Sequence, residues 1–131
     1  MTTHVLSIKT KQAVGLIIVS MRNKYKSCGL DYDLIIEKFP DLNHYEETVN
    51  AYLDDEFFKD LKGMLENEDY AMAKDAVKGL YILASELCLF PLYEKLLEIY
   101  EDLEYEEYKN VMTHYDEMMV TYEKIRGIFN A

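Results

Sequence analysis

The chain has 131 residues, of which 50% are hydrophobic and 30% charged, with only 5 Gly and 2 Pro. That is one domain's worth of core, built from helices with few breaks. Lys and Arg number 14 against 25 acids, a net charge of −11 that repels phosphate backbones and argues against nucleic acid as a partner.

The two cysteines, Cys28 and Cys88, form no Cys-x-x-Cys or Cys/His cluster, so neither a disulfide framework nor a zinc site is expected. They read as reduced thiols of a cytoplasmic protein. The longest dense apolar stretch, Val14 to Val19, falls far short of the ~20 residues that span a bilayer, and the first residues lack a signal-peptide pattern. No membrane association is expected.

Charge divides sharply along the sequence. Residues 1–30 carry Lys9, Lys11, Arg22, Lys24 and Lys26 with no acid, a net of +5, whereas residues 31–131 hold 9 bases against 25 acids, a net of −16. We therefore expect a basic N-terminal helix over residues 1–28, packed on an acidic body over residues 29–131; the other reading of the segment is an arm for an acidic partner or a membrane surface. The aliphatic residues Val14, Ile17, Ile18 and Met21 should be buried in that contact.

The first predicted helix runs from about Thr10, a capping residue, to Ser27, with Gly29 available for a left-handed exit. A short helix follows at Asp33–Lys38, ended by Pro40. The spacing of Val49, Tyr52, Leu53, Phe57, Leu61, Met64 and Leu65 predicts one long helix from Leu42 to Glu66. A third long helix spans Tyr70 to Leu89 and a fourth Pro91 to Leu103, where Leu92, Leu96, Leu97, Ile99 and Tyr100 recur. The last, Tyr105 to Phe129, carries a heptad-like seam of Tyr108, Val111, Tyr115, Met118, Tyr122, Ile125 and Phe129. Four long amphipathic helices with short loops predict an all-α, antiparallel up-and-down four-helix bundle with an additional N-terminal helix.

No self-contained catalytic chemistry is visible. The chain lacks the Glu-x-x-His pairs of di-metal bundles, a Gly-rich phosphate loop, G-x-S-x-G and H-E-x-x-H. His4, His44 and His114 lie on three different segments, and Cys88 has no histidine near it in sequence. No enzyme activity, cofactor or metal is expected. Tyr108, Tyr115 and Tyr122, beside Met112 and Met119, read as core or its rim.

From Gly29-Leu30-Asp31-Tyr32-Asp33 and Phe39 to the end, about three-quarters of the chain, the sequence resembles the histidine phosphotransfer (HPt) family. These four-helix modules relay phosphate between receiver domains in two-component signalling. The family reads as an acidic residue, then nine positions on A-H-x-L-K-G, then a run ending N-L-G-x-x-x-L. Here Asp69 is followed by Val77-Lys78-Gly79-Leu80-Tyr81-Ile82 and then by Ala84-Ser85-Glu86-Leu87-Cys88-Leu89-Phe90-Pro91-Leu92. The apolar positions match, while Lys78 takes the place of the phosphorylated histidine, Tyr81 that of the motif's lysine and Ile82 that of its glycine. A second register, three residues earlier, sets Asp75-Ala76-Val77-Lys78-Gly79 against H-x-L-K-G and puts Asp75 at the phosphoacceptor position, but its similarity stops downstream.

Helix geometry places Ala73, Ala76, Val77, Leu80, Leu83, Ala84 and Leu87 in one arc. Lys78 then points away from the core, with Lys74, Asp75, Ile82 and Ser85 around it and Tyr81 at the edge. The resemblance thus implies a non-catalytic, HPt-like signalling module in which Lys74, Lys78, Tyr81, Ile82 and Ser85 form a surface for a receiver domain or sensor kinase. A lysine ammonium has no lone pair with which to accept a phosphoryl group. The alternative is a helical scaffold or oligomerisation module, with weak self-association through the heptad-like last helix.

Overall fold

The computed structural model describes residues 2–130, with side chains described from residue 11 onward. The side chains of His4, Lys9 and Thr10, the expected cap, lie outside that description. The described residues are helical throughout, with no strand: α1 (Thr2–Lys26), α2 (Tyr32–Lys38), α3 (Leu42–Leu53), α4 (Glu56–Glu66), α5 (Tyr70–Glu86), α6 (Phe90–Glu104) and α7 (Val111–Phe129), with a 3₁₀ turn at Tyr108–Asn110. α4 packs on α5, α5 on α6 and α6 on α7, and α7 closes back on α3 and α4.

Aspartates start three of these helices: the side chains of Asp31, Asp41 and Asp55 accept from the backbone N–H of Leu34, His44 and Phe57 at 3.1, 3.1 and 2.8 Å. Four helices end alike. After α1, α4, α5 and α6 one residue turns left-handed (Gly29, φ 81°; Glu68, 59°; Cys88, 59°; Glu106, 56°). The next N–H then reaches back five residues, Leu30 to Tyr25 at 3.0 Å, Asp69 to Met64 at 2.9 Å, Leu89 to Ala84 and Glu107 to Asp102 at 2.8 Å. At Gly29 the requirement is double, because a Cβ there would stand 3.0 Å from Pro91 Cγ.

The expected single helix over 42–66 is two. Asp54 and Asp55 interrupt it, Asp55 caps α4, and the phase of the apolar face shifts by one residue. Phe58 is therefore the buried ring, 3% exposed, and Phe57, 47% exposed, faces outward. The Tyr122 hydroxyl donates to the Leu53 carbonyl at the end of α3, and Arg126 donates to the Tyr122 oxygen at 2.8 Å while pairing with Asp54 at 3.3 Å. A side chain of α7 thus satisfies the carbonyl that the break exposes.

Other boundaries differ as well. α1 begins at Thr2, upstream of the expected Thr10 start; α5 ends at Glu86, since Cys88 turns left-handed; and α7 begins at Val111, because Glu106 reverses the chain before the 3₁₀ turn. The heptad-like seam is buried at Val111, Tyr115, Met118, Tyr122, Ile125 and Phe129, while Tyr108 stacks on Tyr70 with ring centroids 3.8 Å apart.

At the N-terminal side, Tyr25 is fully buried, edge-on to Tyr32 and Phe129, and its hydroxyl donates to Glu46 at 2.9 Å. Ile18 and Met21 pack against the core, but Val14 and Ile17, expected to do the same, are exposed with Leu16 and Val19. α1 continues toward its N-terminus from this point as uninterrupted helix, with those side chains outside the core that Ile18 and Met21 join.

Candidate functional site

The outward face of α5 holds the residues predicted from sequence. Ala73, Ala76, Val77, Leu80 and Ala84 fill its buried face, so Lys78 stands exposed in mid-helix, with Asp75 exposed one turn before and Ile82, 42% exposed, one turn after. Leu83, expected in the core arc, is equally exposed at 42% and lies beside Ile82. The angular limit of the buried arc passes between Leu83 and Leu80, because α6 covers the helix from the side of Tyr81. Phe90, at the start of α6, is exposed as well.

The predicted surface divides in two. Lys78 and Ile82 are free to meet a partner, whereas Lys74, Tyr81 and Ser85 are half-buried on the side of α6. The Lys74 ammonium pairs with Glu104 and lies 5.9 Å from the Tyr100 ring centroid. The Tyr81 ring stands edge-on to Tyr93 and Tyr100, at 5.8 and 5.2 Å. The Lys74 ammonium, with the charge of Lys78 behind it, holds the Glu104 carboxyl below its ordinary range. Lys74 and Tyr81 thus hold α5 against α6, beside the face on which Lys78 and Ile82 are exposed.

Cys88 completes the arrangement. It is buried and left-handed, two residues past the end of α5. Immediately before it, the Leu87 carbonyl accepts from the Tyr45 hydroxyl at 2.7 Å, and in mid-helix the Leu80 carbonyl accepts from the Tyr52 hydroxyl at 2.5 Å. Burial pushes both tyrosines above the usual phenol range, so they remain neutral donors.

A second polar constellation, between α6 and α7, escaped the sequence reading. Asp102, 7% exposed, faces His114 Nδ1 at 2.5 Å, and ligand atoms of Glu98, His114 and Glu117 lie within 4.8 Å of one another. The signal was present as Glu98-x-x-x-Asp102 and His114-x-x-Glu117, the reverse of the Glu-x-x-His order of di-metal bundles. Such a set has the donor types of a divalent-cation site with a carboxylate behind its histidine. Here Lys95 supplies the positive charge, with its Nζ 3.7 Å from Glu98 and 3.6 Å from Glu117. The constellation sets the carboxylates of Glu98, Asp102 and Glu117 against Lys95 and His114 and joins α6 to α7.

No helix among the described residues is long and apolar enough to cross a membrane. Comparison of the chain with protein-family models, curated proteins and solved structures finds no match.

Proposed function

We propose that residues 29–131 form an HPt-like up-and-down four-helix bundle, the α3–α4 pair with α5, α6 and α7, that binds a receiver domain or sensor kinase of a cytoplasmic two-component system without accepting phosphate. The observation that carries this reading is Lys78, an exposed cation at mid-α5 where the family presents its histidine. The left-handed Cys88, ten residues on, supports the same register, since it takes the backbone conformation for which glycine is best suited. Lys78 offers an ammonium to the acidic pocket of a receiver, and Ile82 and Leu83 offer apolar area beside it.

The test is a titration of purified receiver domain with the full chain, with transfer from the phosphorylated receiver followed in parallel. Saturable binding without transfer is expected, and Lys78→Glu should weaken it about tenfold, or ~1.4 kcal/mol. Phosphoryl transfer to this chain, or receiver binding that ignores both Lys78→Glu and Ile82→Ala, would sink the proposal.

A further inference from the structure

The feature that calls for a partner is α1. Only its last third is anchored, through Ile18, Met21 and Tyr25. The preceding residues, from Thr2 to Ile17, extend about 24 Å as continuous helix at 1.5 Å per residue. Along that projection Val14, Leu16 and Ile17 are exposed, Leu16 by 72%, and Val19 is exposed just beyond it. At about 100° per residue these side chains, with Ile18, point in every direction around the axis. A stretch apolar all round, as Val14–Val19 is, is suited to being surrounded by protein, whereas a helix that lies on a membrane needs an apolar and a polar face.

Charge selects the surroundings. The projecting part carries Lys9 and Lys11 with no acid, within a segment up to residue 30 that is +5, and the rest of the chain is −16. Two α1 helices, both basic, would repel each other. Within one copy Val14, Leu16 and Ile17 stay exposed, uncovered by their own body. The acidic surface within reach is that of another molecule of the same chain. α7 offers a fitting place, a shallow hollow of about 530 Å³ lined by Asp116, Met119, Val120, Glu123 and Lys124. Val120 in that lining is 56% exposed, and Asp116, Glu123 and Lys124 are exposed with it.

We infer that the protein is a reciprocal homodimer in which the aliphatic, basic α1 of each copy lies against the acid-rimmed α7 of the other. The exchange uses the same two patches twice, so it closes after two copies. It leaves the Lys78 face of α5 free and does not depend on the receiver-binding proposal.

Sedimentation of the full chain from about 1 to 200 µM, at low and at high salt, tests it. A concentration-dependent dimer that weakens with salt is expected. Leu16→Glu and Val120→Glu should each raise the dimer dissociation constant at least about tenfold while leaving the helical circular dichroism unchanged. A monomer across the whole range overturns the inference. So does a dimer lost in Leu16→Glu but intact in Val120→Glu, which would show α1 seated elsewhere. Flotation of a monomeric chain with anionic phosphatidylglycerol vesicles would assign α1 to a lipid surface instead.

Discussion

Asp102 on α6 and His114 on α7 face each other at 2.5 Å, and they couple the packing of the two helices to protonation. The hydrogen bond to Asp102 is the main cause that raises the His114 imidazole above its ordinary range, and the charges of Asp102, Glu98 and Glu117 act in the same direction. Lys95, the nearby cation on α6, is itself held by the two glutamates.

A raised folded-state value means that the unfolded chain releases this proton first. The stabilisation is complete below about pH 6.5, the unfolded histidine value, and is lost as pH rises through the higher folded value. Urea midpoints should therefore fall between mildly acidic and mildly alkaline pH, and His114→Asn should flatten that slope. Parallel slopes for the two proteins would show that the pair is not linked to folding. His114→Ala should also leave Asp102 buried without its partner, at a cost of about 1–3 kcal/mol.

Phe57 and Phe58 should behave as opposites. Phe58, buried against Tyr52 and Tyr122, should cost about 3–5 kcal/mol when cut to Ala. Phe57→Ala should stay within about 1 kcal/mol. Equilibrium denaturation of both variants decides whether the α3–α4 break sets the phase of this face.

The same break explains what the sequence could and could not disclose. The apolar spacing of α6 and α7 was legible because each helix is uninterrupted and buries one stripe. Over 42–66 a single periodic reading survives the Asp54-Asp55 interruption, since each half repeats every three or four residues. Only the cap formed by Asp55 and the latch from Tyr122 distinguish two helices from one, and the latch joins residues 69 positions apart. Lys78 and Ile82 could be placed on an outward face from helix geometry alone. Leu83 could not, because its exposure depends on where α6 lies. His114 was passed over because its partner is on another helix.

Tyr122→Phe should test that latch. It removes the donor to the Leu53 carbonyl and the acceptor for Arg126 while keeping the ring. A loss of about 1–3 kcal/mol is expected, because a carbonyl at a helix end is left without its partner. If Tyr122→Phe matches the parent in urea, the Leu53 carbonyl has found another donor.

The left-handed helix ends give a stabilising prediction. Glu68 and Glu106 are exposed and hold φ near 59° and 56°, where a side chain is strained and glycine is not. Glu68→Gly and Glu106→Gly should each raise stability by about 0.5–1 kcal/mol, read as a higher melting temperature. Gly29→Ala should lower it, because the backbone is left-handed and Pro91 already occupies the space. A lower melting temperature for both glutamate variants would contradict this account of the turns.

The two thiols give the molecule a pair of internal clocks. Cys28 is half-buried at the foot of α1, its Sγ directed at the Tyr25 carbonyl at 3.4 Å, while Cys88 is enclosed in the core. Burial pushes the Cys28 thiol up, so it reacts slowly until Tyr25 and its surroundings loosen. Alkylation at Cys28 then times the release of α1 alone, and alkylation at Cys88 times the opening of the whole body. The ratio of the two rates reads, in one unmutated protein, how far the arm can detach before the domain that carries it comes apart.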